Sequence, residues 1–316
     1  MPFYYPESHL SLVSTIPTSL TEPQIRFSVD KLILKAPRLL STEHLLSFWR
    51  NNSLQYEDYF EKRRPIGYKV NGVSIKCSNL YRNSFNLIVV NPTDFSSLEE
   101  SLSMIRYVLP PEIVDELKLY QTDLAADLFN IEFEKNMVGL TISQKFCFIQ
   151  PHHRSGKKES HVVGKYPEVI KAYNKRLQIQ RMKGPGAKKY REILNEHWTR
   201  FEISLRLSKL PTRIPSELID HLLNPNFNPF NSIVLRDIDF TPPCIERANP
   251  TTLIRFGRFQ GICEANGFYF AKSFFSRSNF PRDYKDFFHI NHSFRLGDYF
   301  HDGMKIFISG KAALCP

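Results

Sequence analysis

Two runs decide how this chain reads: Ile170-Lys171-Ala172-Tyr173-Asn174-Lys175-Arg176 and Arg200-Phe201-Glu202-Ile203-Ser204-Leu205-Arg206, within Val169 to Leu207 and joined by a basic segment. Both alternate apolar and polar residues, the pattern of a half-buried strand. Successive side chains on a strand point to opposite faces. Lys171, Tyr173 and Lys175 therefore share a face of the first strand. In the second, Phe201, Ile203, Leu205 and Leu207 form a core face with Glu202 and Arg206 opposite. A tyrosine set among cations thus faces a carboxylate across a hairpin-like excursion, which suits phosphate chemistry.

The 316-residue chain is 42% hydrophobic and 23% charged, enough for a substantial core and for more than one subdomain. Its formal charge of +10 favours a polyanionic partner, with nucleic acid the commonest. No apolar run approaches the roughly 20 residues of a transmembrane helix. Met1 to Leu20 lack the cationic start and apolar run of a secretory signal, so a cytoplasmic protein is expected. Five cysteines, Cys77, Cys147, Cys244, Cys263 and Cys315, show no short paired spacing, which argues against a disulfide framework and a zinc cluster.

Residues 1–24, rich in Pro, Ser and Thr, read as an irregular arm. Residues 25–118 read as an N-terminal α/β subdomain. It opens with a strand over Gln24 to Ala36 and continues with a short helix capped by Ser41 and strands at Gly67 to Cys77 and Asn83 to Val90. A helix capped by Ser97 and Glu100 follows, then one led by Pro111. Residues 119–215 read as the subdomain that carries the chemistry. It has strands at Leu119 to Phe129 and Val138 to Ile149, the polar loop Pro151 to Lys158, the Tyr173 strand, a cationic helix from Ala187 to Glu196, and the Glu202 strand. Residues 216–316 form a smaller aromatic and basic C-terminal region, in which cations interleaved with rings can follow a backbone and stack bases. The expected class is α+β: antiparallel sheets flanked by helices, in two related α/β subdomains plus that C-terminal region.

On the Leu119 to Phe129 strand, Asp123, Ala125 and Asp127 share a face, and the small alanine leaves space between two carboxylates. Together with Glu202, they are candidates to hold a divalent ion, Mg2+ or Mn2+, through oxygen. Arg154, Lys157 and Lys158 of the polar loop, Lys188, Lys189 and Arg191 of the cationic helix, and Arg176, Arg200 and Arg206 are candidate DNA contacts. The ten histidines form no H-x-x-x-H pair, and neither a Walker loop nor a dinucleotide glycine fingerprint occurs, which argues against ATP-driven and redox chemistry. Tyrosine remains as a nucleophile. A phenol with a reference pKa near 10 needs cations or a metal to stabilise its phenolate. Lys171 and Lys175 flank Tyr173 in the role of catalytic cations. Attack by Tyr173 on a phosphodiester would give a covalent phosphotyrosine and a free hydroxyl without ATP.

The Tyr173 and Glu202 runs, with Glu196-His197-Trp198-Thr199 leading into the second, resemble the paired motifs of rolling-circle replication initiators of the plasmid and filamentous-phage gene II type. In these, a Tyr-(Asn/Asp)-Lys segment precedes an Arg-(apolar)-Glu strand. Thr122-Asp123-Leu124-Ala125-Ala126-Asp127 is similar to the acidic strand of that group, and Phe27-Ser28-Val29-Asp30-Lys31-Leu32-Ile33-Leu34 to its opening strand. Gln121-Thr122-Asp123 departs from the Arg-(apolar)-Asp of many members, and residues 216–316 have no counterpart. The resemblance implies a metal-dependent, origin-specific nicking-closing endonuclease, with Tyr173 as nucleophile and a host helicase, a polymerase and a second copy of the chain as partners. The alternatives are a non-catalytic DNA-binding replication regulator and a relaxase-like mobilisation protein.

Overall fold

In the computed structural model, the residues described are 24–61, 64–77, 83–129, 147–151, 158–165, 168–181, 198–206, 216–244, 246–266, 271, 274–275 and 282–310. Ten strands form one antiparallel sheet: β1 (Gln24–Ser41), β2 (Glu57–Glu61), β3 (Arg64–Val70), β4 (Val73–Cys77), β5 (Ser84–Val90), β6 (Lys118–Phe129), β7 (Cys147–Pro151), β8 (Lys158–Lys165), β9 (Glu168–Asn174) and β10 (Trp198–Arg206). Their spatial order is β2-β3-β4-β5-β1-β6-β10-β9-β8-β7. Either side of the β1–β6 pair, the first strand of a half lies at the centre and its next four wind inward from the outer edge. The two halves of the sheet thus repeat one topology, the second beginning with β6.

The α+β class is as expected. The helices are α1 (Thr42–Asn51), α2 (Leu98–Val108), α3 (Pro111–Glu116), α4 (Lys175–Arg181), α5 (Ser216–Leu223), α6 (Pro250–Asn266) and α7 (Phe300–Ile308). Ser41 caps α1 by accepting from Glu43 N–H at 3.2 Å, and Ser97 caps α2 by accepting from Glu100 N–H at 3.0 Å. A buried bond from Trp49 Nε1 to the Val108 carbonyl, 2.7 Å, ties α1 to the end of α2.

One face of the sheet is apolar because the alternation is kept through the central strands. Ile25, Phe27 and Val29 of β1, Leu124, Ala126 and Leu128 of β6, Phe201, Ile203 and Leu205 of β10, and Ile170 and Ala172 of β9 share a core with α1, α2, α5 and α7. Phe27 meets Phe230 and Phe300 edge-on at 5.2 and 5.7 Å. Beyond α5, β11 (Val234–Phe240) pairs with β12 (Phe288–Arg295), and α6 builds a second aromatic core there around Phe259, Phe275 and Phe287. Among the described residues no helix is long and apolar enough to cross a membrane.

Three expectations about elements change. The single strand expected over Gly67 to Cys77 is a hairpin, β3 and β4, turned by Asn71 (φ 44°) and Gly72 (φ 82°). An Asn-Gly pair with both residues at positive φ is the strongest short hairpin signal, and the sequence carries it openly. The Tyr173 strand stops at Asn174, whose side chain accepts from Leu177 N–H at 3.0 Å, so Lys175 and Arg176 open α4 instead of extending β9. The aromatic tail resolves into α6, β12 and α7, with β12 pairing back to β11. The cationic helix expected at 187–196, and the strand expected from Val138 as far as residue 146, lie outside the described residues.

Packing on the core face is tight enough to test with glycines. A Cβ on Gly303 of α7 would enter the Phe27 ring, whereas one on Gly257 of α6 meets nothing within 4 Å. Gly303→Ala should destabilise the fold by about 1–3 kcal/mol through overpacking. Gly257→Ala should be neutral or stabilise by up to about 1 kcal/mol through helix propensity. Thermal unfolding of the two variants beside the parent chain measures both.

Candidate active site

The opposite face of the same central strands is polar. Antiparallel register aligns Arg26, Asp127, Arg200 and Tyr173 in one row across β1, β6, β10 and β9, and Ser28, Ala125, Glu202 and Lys171 in the next. Their side chains lie opposite the core residues for the reason that makes the core: a strand has a period of two. A bulge in β1 places Asp30 as an extra residue between the pairs Val29–Leu124 and Lys31–Asp123. Asp30 and Lys31 thereby both avoid the core before Leu32 returns to it.

At the centre Arg200 is 4% exposed and Asp127 fully buried. Arg200 donates from Nε and Nη2 to the two Asp127 oxygens, each at 2.6 Å, and from Nη1 to Asp30 Oδ1 at 2.8 Å. Trp198 Nε1 adds 2.8 Å to Asp127 Oδ1 and Arg26 Nη2 adds 3.2 Å to Oδ2. Burial pushes the Asp127 carboxyl upward, but the Arg200 guanidinium, then Arg26 and Trp198, outweigh it and hold the group well below the usual carboxylate range. Burial likewise works against the Arg200 charge, and the carboxylates of Asp127 and Asp30 overcome it. Trp198 packs on Phe129 and on Ile179 of α4, which seals this end of the face.

One row along, Glu202 accepts from Tyr173 Oη at 3.1 Å through Oε2 and from Lys171 Nζ at 2.6 Å through Oε1. Burial alone would raise the Glu202 carboxyl; Lys171, Arg200 and the Tyr173 hydroxyl bring it below its ordinary value. The Tyr173 phenol is pushed up, first by burial and then by the carboxylates of Glu202, Asp30 and Asp127, with Arg200 opposing. Lys175 Nζ lies 5.8 Å from the Tyr173 ring centroid and donates to Gln178 Oε1 at 2.8 Å. Burial, with Arg200 adding to it, lowers the Lys175 amine to about 8 against the pull of three carboxylates. The arrangement holds a phenol, its proton acceptor and a weakly acidic ammonium together.

The structure brings Tyr173, Glu202, Lys171 and Lys175 together, as the sequence reading expects. It does not gather the expected metal ligands. Asp127 spends its oxygens on Arg200, Trp198 and Arg26. Asp123 accepts from Gln121 Nε2 at 2.8 Å and sits 3.8 Å from Lys31 Nζ, while Glu202 is held by Lys171 and Tyr173. Among the described residues no three His, Cys, Asp or Glu side chains group as a metal site. Asp127 is held by the buried Arg200, and Asp123 and Glu202 pair with the more exposed Lys31 and Lys171, so as placed the three do not converge as the oxygen set that Mg2+ or Mn2+ takes.

Arg200 is likewise a correction. Its guanidinium is buried and each of its three nitrogens donates to Asp127 or Asp30, so it supports the site from within instead of gripping a DNA backbone. Arg206 donates from Nε to Gln121 Oε1 at 2.6 Å, and Arg176 is half-buried in α4. Lys158 opens β8, and Arg154, Lys157, Lys188, Lys189 and Arg191 lie outside the described residues. The sequence reading missed Arg26, Asp30 and Trp198 as parts of the network. Alternation along β1 against Ile25, Phe27 and Val29 marks both Arg26 and Asp30; the bulge that follows hides only Lys31, which simple alternation would send to the core.

No protein-family model matches the chain, and no curated protein matches it. Among solved structures, it is similar to a rolling circle replication initiator protein from Geobacillus stearothermophilus. The likeness is at 10% identity and a TM-score of 0.33, over 77% of this chain and 98% of that one.

The Asp127–Arg200 pair sets a stability test. Arg200→Met leaves a buried carboxylate without its main partner and should cost about 3–5 kcal/mol, most of which Asp127→Leu on the same chain should return. Asp127 and Glu202 have folded-state values below their unfolded ones. Their contribution is therefore complete above the unfolded values, about 3.9 and 4.3, and is lost as pH falls through the folded values. Urea unfolding between neutral and acid pH should show stability falling below about pH 4, less steeply when Asp127 and Arg200 are both replaced.

Proposed function

We propose that the chain is a DNA nicking-closing endonuclease that initiates rolling-circle replication, with Tyr173 as nucleophile. The observation that carries this reading is the 3.1 Å hydrogen bond from the Tyr173 hydroxyl to Glu202, in a site flanked by Lys171 and Lys175. A phenol whose ionisation is disfavoured cannot wait as phenolate; it must lose its proton as it attacks. Glu202 already accepts that hydrogen bond, and being ionised at neutral pH it takes the proton as general base.

The bond between Tyr173 Oη and phosphorus forms while the bond from phosphorus to the 3′ oxygen breaks. The leaving oxygen receives a proton from the Lys175 ammonium, whose lowered value suits a general acid near neutrality. The products are a phosphotyrosine on the 5′ end and a free 3′ hydroxyl. Closing is the reverse, with Lys175 as base and Glu202 as acid. Lys171 holds Glu202 ionised and in place. A host helicase and polymerase are the partners such a free 3′ end requires. A second reading, a non-catalytic DNA-binding regulator, is favoured by one observation: every carboxylate of the site is paired with a cation.

Supercoiled DNA of the chain's own replicon, incubated with the protein under Mg2+, Mn2+ or EDTA and run on denaturing gels, separates the readings. Protein-linked DNA is expected for the native chain and none for Tyr173→Phe. Salt-sensitive binding without any adduct would favour the regulator. Glu202→Gln should slow nicking by about 10²–10⁴-fold through loss of the base. The rate should fall as pH rises through about 8, where Lys175 loses its proton, and Lys175→Arg should remove that alkaline limb while lowering the rate at neutral pH.

A further inference from the structure

The polar face continues beyond the Tyr173 site toward the other end of β6. There a second bulge makes Tyr120 an extra residue between the pairs Ile33–Gln121 and Leu34–Leu119. Its half-buried ring lies between two cations, Lys35 Nζ and Arg206 Cζ, each 5.4 Å from the centroid. The next cross-strand pair is Lys35 opposite Lys118, both exposed. Like charges directly opposite on a sheet cost stability. Among the described residues neither lysine has an acidic partner; Glu116, two residues before Lys118, is engaged by Arg38 at 2.7 Å. Lys31 stands nearby on the same face, 3.8 Å from Asp123.

We infer that Lys35, Lys118 and Arg206 form a second subsite for backbone phosphate, holding the same DNA strand whose scissile phosphate Tyr173 attacks. The inference rests on that reading of Tyr173. Arg206 and Glu202 share a face of β10, and Gln121 and Asp127 share a face of β6, so the two sites open onto one surface. Gln121 and Asp127 lie six positions apart along β6, about 20 Å at ~3.4 Å per residue. A stacked strand at 3.4 Å per nucleotide covers that distance in about six nucleotides. An otherwise costly lysine pair is accounted for by an anion with repeated charges that lies across it.

The test measures binding of fluorescent single-stranded oligothymidylates of about 4 and about 20 nucleotides by the full-length Tyr173→Phe chain across a salt series. The chain is compared with and without Lys35→Ala/Lys118→Ala, and with Lys305→Ala of α7 as control, where Lys305 pairs with Asp302 at 3.2 Å. The double variant should flatten the salt slope for the long probe by about 1.4, two contacts at ~0.7 each. Its loss of affinity should be several-fold greater for the long probe than for the short one, because only the long strand engages both subsites. Its melting temperature should be unchanged or higher, and Lys305→Ala should bind as the parent does.

An unchanged slope, an equal loss at both lengths, or a fallen melting temperature would each overturn the subsite. Nicking by the native chain is scored separately. Nicking with an unchanged slope sinks the subsite and leaves Tyr173 standing, whereas a flattened slope with no nicking does the reverse.

Discussion

The fork between Arg200 and Asp127 is the constraint on which the polar face depends. Two charges withdrawn from water are costly unless each finds a partner of good geometry. Here both Asp127 oxygens and three Arg200 nitrogens are used, at 2.6 to 2.8 Å, by groups drawn from β1, β6 and β10. The register of these three strands cannot slip by one residue without driving the whole set into the core. In one step the pair fixes pairing, depth and charge at the row that ends in Tyr173.

What the pair does for chemistry is indirect. Arg200 eases the ionisation of Tyr173 and Glu202 and lowers the Lys175 amine, while Asp127, Asp30 and Glu202 push the other way. The result is a site close to electrical balance, with a fixed cation among fixed carboxylates. The repeated topology of the sheet sharpens the point. β4 and β5 occupy in the first half the places of β9 and β10 in the second, yet Val-Ser-Ile-Lys-Cys and Ser-Phe-Asn-Leu-Ile-Val-Val carry neither tyrosine nor carboxylate. The tyrosine and its carboxylate partner thus belong to one half of the repeated plan alone.

Much of this was legible in the residues. Alternation on β6, β9 and β10 assigned the faces correctly and put Tyr173, Lys171 and Glu202 together, because a strand's period leaves no freedom once one face is apolar. The capping residues of α1 and α2 were equally plain. What alternation could not show was who pairs with whom. Asp123, Asp127 and Glu202 lie near one another in pattern, and their separation into three ion pairs depends on Lys31 reaching Asp123, Arg200 and Arg26 reaching Asp127, and Lys171 reaching Glu202, each from another strand. The bulges after Val29 and at Tyr120 interrupt the period, so that Lys31 and Tyr120 face the polar side where simple alternation would send them to the core. Lys175 does lie beside Tyr173, but not by strand alternation: the chain turns into a helix at Asn174, and the lysine returns over the ring from there.

The central claim is that Tyr173, with Glu202 as its base, forms the covalent bond to DNA. Its most direct measurement is peptide mapping of the protein after reaction with its replicon's DNA, nuclease trimming and proteolysis, with the modified residue located by tandem mass spectrometry. A nucleotide carried by the peptide at Tyr173, and absent from Glu202→Gln after the same brief reaction, is the predicted result. A nucleotide on any other tyrosine, or an adduct whose yield ignores Glu202, would contradict it.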